Sequence, residues 1–147
     1  MFKIAMGCDH AGYDMKEELK EKLTKEGYII NDLGTYSKDS VDYPDFGIKA
    51  GAAVAKGECD YGIIICGSGI GISISANKVK GVRAALACDE ERARLARMHN
   101  NANVLAMGAR FTDIDTAKKI VDAFLSTPFE GQRHEKRISK ITEYENK

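Results

Sequence analysis

Tyr61-Gly62-Ile63-Ile64-Ile65-Cys66-Gly67-Ser68-Gly69-Ile70-Gly71 is the stretch on which the fold turns. Tyr61 to Ile65 is short, apolar and rich in isoleucine, the pattern of a strand buried on both faces, as in a parallel sheet. Without a spacer it enters Gly67 to Gly71, a turn rich in residues lacking a Cβ, and a helix then reaches about Lys78. Strand, glycine turn and helix form the repeating unit of a βαβ architecture, and the same alternation continues on both sides. Upstream, Lys3 to Cys8 reads as a strand. Tyr13 to Glu26 reads as a helix with Met15, Leu19 and Leu23 on one face and Glu18/Lys22 and Glu21/Lys25 paired outside. Tyr28 to Leu33 is a second strand, and Pro44 suits the first turn of a helix from Tyr43 to about Ala55, before Gly57. Downstream come a strand at Val82 to Ala87, a helix capped by Asp89 and ending near Met98, and a strand at Asn103 to Met107. Ala117, Ile120, Val121, Phe124 and Leu125 mark another amphipathic helix, Pro128 ends it, and a last helix follows. The pattern predicts one α/β domain over residues 1–147, Rossmann-like and doubly wound, with about five parallel strands joined by right-handed crossovers.

The 147 residues fit a single domain. With 22 basic and 22 acidic residues the formal net charge is zero, so the overall balance gives no footprint for nucleic acid or an anionic membrane surface. No apolar run approaches the roughly 20 residues of a membrane span, and Met1 to Met6 is too short for a signal-peptide core, so a soluble cytoplasmic protein is expected. Cys8, Cys59, Cys66 and Cys88 include no CxxC pair, which argues against a zinc ribbon or a thioredoxin-like motif and for free thiols in a reducing compartment.

Ligands of such sheets bind outside the carboxyl ends of the strands, and here those ends carry Cys8-Asp9-His10, Cys66 to Gly71, Cys88-Asp89 and Gly108-Ala109-Arg110. The Gly67 to Gly71 turn can aim amide N–H groups at an anion at a helix N-terminus, although a tight turn needing glycine for backbone reasons reads the same way. It lacks the Lys-Ser/Thr of a phosphate-binding P-loop and the spacing of a dinucleotide fingerprint. Cys66 ends its strand directly before this turn, where a helix dipole and converging amides favour thiolate over thiol, so it is the candidate base. Cys59 lies near a helix end and Cys8 and Cys88 have no such glycine nest, so all three read as structural. Asp9 and His10 can face the same crevice, as an acid–base or phosphate-contact pair or as solvated loop polarity. His99 follows a helix and so lies at the amino edge of the sheet, far from its own Cys66. Arg133 and Arg137, at i,i+4 beyond the last crossover, also return to that edge, as a phosphate clamp or as a solvated terminal helix. His134 reads as part of a solvated face. If His99 and the two arginines serve the crevice around Cys66, the simplest arrangement is an isologous dimer in which they come from the second subunit.

Gly7-Cys8-Asp9-His10-Ala11-Gly12, Asp42-Tyr43-Pro44-Asp45, Cys66 to Gly71, His99-Asn100 and Gly131-x-Arg133-His134-x-x-Arg137 together resemble the ribose/galactose isomerase family over essentially the full chain. That family contains type B ribose-5-phosphate isomerases, galactose-6-phosphate isomerase subunits and enzymes acting on allose 6-phosphate. The resemblance implies that Cys66 moves a proton between C1 and C2 of an open-chain sugar phosphate through a cis-enediolate. It implies that the turn holds the oxyanion and substrate through Gly67, Gly69, Ile70 and Gly71, and that Ser68, where many relatives have threonine, moves the hydroxyl proton. His99 with Asp9 opens the sugar ring, His10, Arg110, Arg133 and Arg137 bind the phosphate, Asn100 contacts the enediolate oxygens, and Tyr43 lines the substrate site. Some relatives place a glutamate base where this chain has Ile72, which cannot take a proton, so the chain falls in the cysteine-base branch. No metal, cofactor or nucleotide is implied, and the sequence shows no dense cluster of metal ligands.

The first expectation is therefore a cytoplasmic homodimeric isomerase of ribose 5-phosphate and ribulose 5-phosphate, in the pentose phosphate pathway, with its site shared between subunits. Pairing of dimers into a tetramer is left open. The alternatives are isomerisation of a six-carbon sugar phosphate (allose 6-phosphate or galactose 6-phosphate), which Ser68 in place of threonine keeps open, and a non-catalytic phosphate-binding module on the same architecture.

Overall fold

Five strands and six helices alternate along the chain in the computed structural model, which describes residues 2–147. β1 (Lys3–Cys8) passes through a short 3₁₀ turn at His10–Gly12 into α1 (Tyr13–Lys25) and β2 (Ile29–Asp32). Then come α2 (Tyr43–Ala55), β3 (Tyr61–Cys66), α3 (Ile70–Asn77), β4 (Ala84–Leu86), α4 (Glu90–Asn100), β5 (Val104–Gly108), α5 (Ile114–Ser126) and α6 (Arg133–Glu145). All strand pairs are parallel, in the order β2-β1-β3-β5-β4. The chain thus moves outward from β1 in both directions, and its switch point lies between β1 and β3, where such sheets open a crevice. None of the helices among the described residues is long and apolar enough to cross a membrane.

The period-two alternation of strands distributes the core between two helical layers. Ile63 and Ile65 of β3 pack with Leu19 and Leu23 of α1 and with Ile120 and Phe124 of α5. Ile64 and Cys66 point the other way, toward Ala50 and Val54 of α2 and Ile72 and Ala76 of α3. That second layer is built from small residues because α2 and α3 lie close: a Cβ on Gly47 would stand 2.9 Å from the Ile72 carbonyl oxygen. The side chain of Cys66 therefore has its direction set by strand parity, toward the layer that carries the glycine turn.

Two element boundaries differ from the sequence expectation. β4 is only three residues long: Val82 closes a turn on Val79, and Arg83 gives its N–H to Asn103 Oδ1, with only its carbonyl accepting from the Asn103 and Val104 N–H groups. α4 continues through His99 and Asn100 to a left-handed cap at Asn101. Arg97 anchors that end: its buried guanidinium donates to Ala102 O at 2.6 Å, Asn101 Oδ1 at 2.9 Å and Thr127 O at 3.2 Å, and lies over the Tyr61 ring at the start of β3. A second buried cation, Lys16, places Nζ 2.6 and 2.7 Å from the two Asp32 carboxylate oxygens at the end of β2.

Candidate active site

At the carboxyl edge the crevice between β1 and β3 is lined as its sequence position requires. Asp9 is buried, and its Oδ1 accepts the Ala11 and Gly12 N–H groups at 3.0 and 3.2 Å, which fixes the 3₁₀ turn and orients the carboxylate. Gly12 packs directly on Ile65 of β3. His10 accepts the Val41 N–H on Nδ1 at 3.1 Å, leaving Nε2 as the free edge of its ring. Cys66, 4% exposed, accepts the Gly69 N–H on Sγ at 3.2 Å. Gly69 sits at φ +79°, and a Cβ there would stand 2.8 and 2.9 Å from Met107 C and Gly108 N, so only glycine lets the turn lie on β5. Ser68 Oγ accepts the Ile70 N–H at 3.2 Å, and the Tyr43 ring lies against Gly71. Cys8, the last residue of β1 and two residues before His10, has its thiol pushed up to about 12 by burial.

Arg110 completes this edge. Because β5 inserts beside β3, Ala109 N–H bonds Cys66 O at 2.9 Å and Arg110 N–H bonds Gly67 O at 3.0 Å. The guanidinium folds back over the turn, with Nη1 2.7 Å from where a Gly67 Cβ would be. Beside it a cleft of about 410 Å³ is lined by Ser68, Ile70, Leu86, Cys88, Arg92 and Phe111.

His99, Asn100, Arg133 and Arg137 form a second group at the opposite edge. His99 and Asn100 close α4 beside the amino end of β3, and Arg133 and Arg137 are exposed one turn apart at the start of α6. At ~3.3 Å per residue the length of β3 separates this group from Cys66 by about 16 Å. The chain therefore brings Asp9, His10, Tyr43, Cys66, Gly67, Ser68, Gly69, Ile70, Gly71 and Arg110 together, and holds His99, Asn100, Arg133 and Arg137 apart from them.

His134 departs from the expectation of a solvated face. It is 5% exposed and stacks on His99 with ring centroids 4.3 Å apart and planes 11° from parallel. The Gly131 and Gln132 backbone, both at positive φ, turns the chain into α6 so that His134 faces α4 while Arg133 and Arg137 face out. Glu130 joins the pair: its N–H bonds Met98 O at 3.1 Å, and its Oε1 lies 3.4 Å from His99 Nε2 and 3.9 Å from His134 Nε2. The sequence shows no dense set of metal ligands, yet these three residues from two segments converge in space. Only the His-Glu-His composition could have signalled it, since the residues are separated by 31 and 4 positions and the intervening strand and helix decide their approach.

Comparison with known proteins gives one consistent result. The family model described as Ribose/Galactose Isomerase matches residues 4–141. The chain is 46% identical over 147 residues, all of this chain and 99% of the relative, to ribose-5-phosphate isomerase B of Escherichia coli (strain K12). Its structure is similar to that of Clostridium thermocellum ribose-5-phosphate isomerase B, at TM-score 0.97 and 52% identity, covering 98% of this chain and 97% of the other. It is also similar to that of ribose-5-phosphate isomerase B from Mycoplasma genitalium with bound ribulose-5-phosphate, at TM-score 0.96 and 45% identity, over 99% and 97% of the two chains. With the model matched over nearly the whole chain and relatives aligned end to end, this protein belongs to the ribose/galactose isomerase family.

Proposed function

We propose that the protein interconverts D-ribose 5-phosphate and D-ribulose 5-phosphate, with Cys66 as the base. The observation that carries this reading is the Gly69 N–H bond to Cys66 Sγ, which holds a sulfur at the mouth of a glycine turn with an arginine folded over it. In the open-chain aldose the thiolate takes the proton from C2, the C1=O double bond becomes a C1–O⁻ single bond, and a C1=C2 double bond forms. Return of the proton from the thiol to C1, with the O2 hydroxyl proton passed to O1 through Ser68, gives the ketose and regenerates the thiolate. Free N–H groups of the turn stabilise the enediolate oxygens as their charge develops. The proton and electron balance closes within substrate and side chains, so the step draws on no cofactor. Asp9 is oriented by its two backbone bonds for ring opening with His99, and Asn100 serves the enediolate oxygens. His10, Arg110, Arg133 and Arg137 take the phosphate, and Tyr43 walls the site beside Gly71.

Because His99, Asn100, Arg133 and Arg137 lie a strand's length from Cys66, the reading requires an isologous homodimer in which each Cys66 crevice receives these groups from the second copy. An exposed apolar surface around the crevice supports it: Ile70 and Ile74 on one face of α3, Leu86, and Phe111, which is 81% exposed. Ile74→Asp is expected to convert the dimer to monomers in sedimentation and to lower kcat at least about a hundredfold, the effect of removing a proton-transfer group. A monomeric variant with full activity would refute the shared site. Arg137→Ala is expected to raise KM by about 10–100-fold, the worth of one charge-assisted hydrogen bond, with kcat changed little because the phosphate is remote from C1 and C2. A fall confined to kcat would remove Arg137 from the clamp.

The deciding assay compares kcat/KM for ribose 5-phosphate, allose 6-phosphate and galactose 6-phosphate with chelator present. The five-carbon sugar is expected to lead. A six-carbon sugar in the lead keeps the chemistry and changes the substrate, and no turnover of any of the three returns the chain to the phosphate-binding reading.

A further inference from the structure

We propose that His99, Glu130 and His134 form a binding site for a single divalent zinc-type ion. His134 Nε2 is, among the described residues, the one fully buried side-chain nitrogen or oxygen without a hydrogen-bond partner, and it lies 3.9 Å from Glu130 Oε1 beside the His99 ring. A buried imidazole nitrogen left in this state is costly unless something occupies its lone pair. The three ligand atoms lie within 4.8 Å of one another, with His99 Nε2 and Glu130 Oε1 already 3.4 Å apart. Tetrahedral zinc with bonds of about 2.0–2.1 Å holds its ligand atoms about 3.3 Å apart, so one pair is in place and the others must close by little more than an ångström. The stacked rings must splay for both lone pairs to meet one ion. His99 and Glu130, whose side chains are 37% and 49% exposed, have the freedom to do so around the fixed His134. Arg133 and Arg137 oppose a cation, but both face away from the triad, while Glu130 contributes the compensating negative charge. Two histidines and one carboxylate suit zinc, cobalt or nickel over calcium or magnesium, and the set leaves a fourth position open.

Since the proposed isomerase reading assigns ring opening to His99, an ion there also blocks the reaction, and this consequence rests on that reading while the site itself does not. The test uses the full-length protein stripped with chelator, titrated with zinc by calorimetry and with cobalt by visible absorption. One ion per chain is expected, with the ligand-field bands of tetrahedral cobalt and no thiolate-to-metal charge-transfer band. Glu130→Gln, on an exposed side chain, should weaken binding at least tenfold and raise the zinc concentration that halves isomerisation by a similar factor. His134→Ala should do the same. No bound ion, or binding that persists in both variants and is lost in Cys88→Ser or Cys66→Ala, overturns the site. Zinc bound at the triad of a protein without isomerase activity leaves the site standing and removes only the functional reading.

Discussion

Cys66→Ala is expected to lower kcat for the sugar-phosphate isomerisation by at least about 10²–10⁴-fold, the contribution of one positioned general base. KM should move little, because the phosphate groups assigned to binding do not touch the sulfur. The replacement deletes one buried atom and leaves the Gly69 N–H facing a small apolar gap, so folding should survive and a melting curve serves as the control. Cys66→Ser separates base strength from geometry: its hydroxyl can still accept the Gly69 N–H, but an alcohol is far too weak an acid to supply an anion at neutral pH, so its kcat should also collapse. Both variants still turning over would show that the proton is carried by another group. Cys8 is not that group, with its thiol held up to about 12 by burial, and Ile72 offers no proton site.

Asp32→Asn is expected to cost about 3–5 kcal/mol of folding stability at neutral pH, read by urea unfolding, because it leaves the Lys16 ammonium buried without its counter-charge. Lys16 is fully buried, and two short contacts to Asp32 are what compensate its charge, with Glu17 a more distant 3.4 Å away. Lys20, one turn along α1, also reaches Asp32 at 2.8 Å, but it is partly exposed and can turn to water when the carboxylate is lost. The double variant Lys16→Met/Asp32→Asn should recover most of the loss, since it removes the stranded charge as well. Losses below about 1 kcal/mol in the single variant would mean that Lys16 finds water. A pH dependence follows with a definite sign. Burial pushes the Asp32 carboxyl up, but the Lys16 and Lys20 bonds and the Gly34 N–H outweigh it and hold it below its usual value of 3.8. The folded protein therefore keeps this carboxylate ionised where the unfolded chain binds a proton. The stability it contributes is present above about pH 4 and is lost as pH falls through the native value. The gap between wild type and Asp32→Asn should accordingly narrow in acid.

Much of the fold is legible because its causes are local. The isoleucine run of β3, the glycines that follow it and the apolar spacing of α1 and α5 each act over a few residues. The sheet rule then assigns the turn after Cys66 and the pair Asp9-His10 to one edge before any packing is known. His99 at the opposite edge is legible for the same reason, since a helix that returns the chain must end at the amino side. The helix-end and strand-end differences at α4 and β4 are small and have local causes, a left-handed cap at Asn101 and the Asn103 side chain taking the Arg83 N–H.

By itself the sequence determined the strand–turn–helix units, the carboxyl-edge position of Cys66, Asp9 and His10, and the family, because periodicity, glycine and short ordered motifs are properties of contiguous residues. Only the tertiary structure decided which distant segments meet. β5 could have taken the sheet edge after β4. Its insertion beside β3 is what lays Arg110 over Gly67. His134 reads as one polar residue among many on α6, and only the packing of that helix on α4 buries it against His99 and Glu130. Lys16 and Asp32 likewise carry no mark of their pairing, since the charges meet only once α1 is folded against β2. Such contacts depend on the free energy of packing whole elements together, which no window of the chain contains.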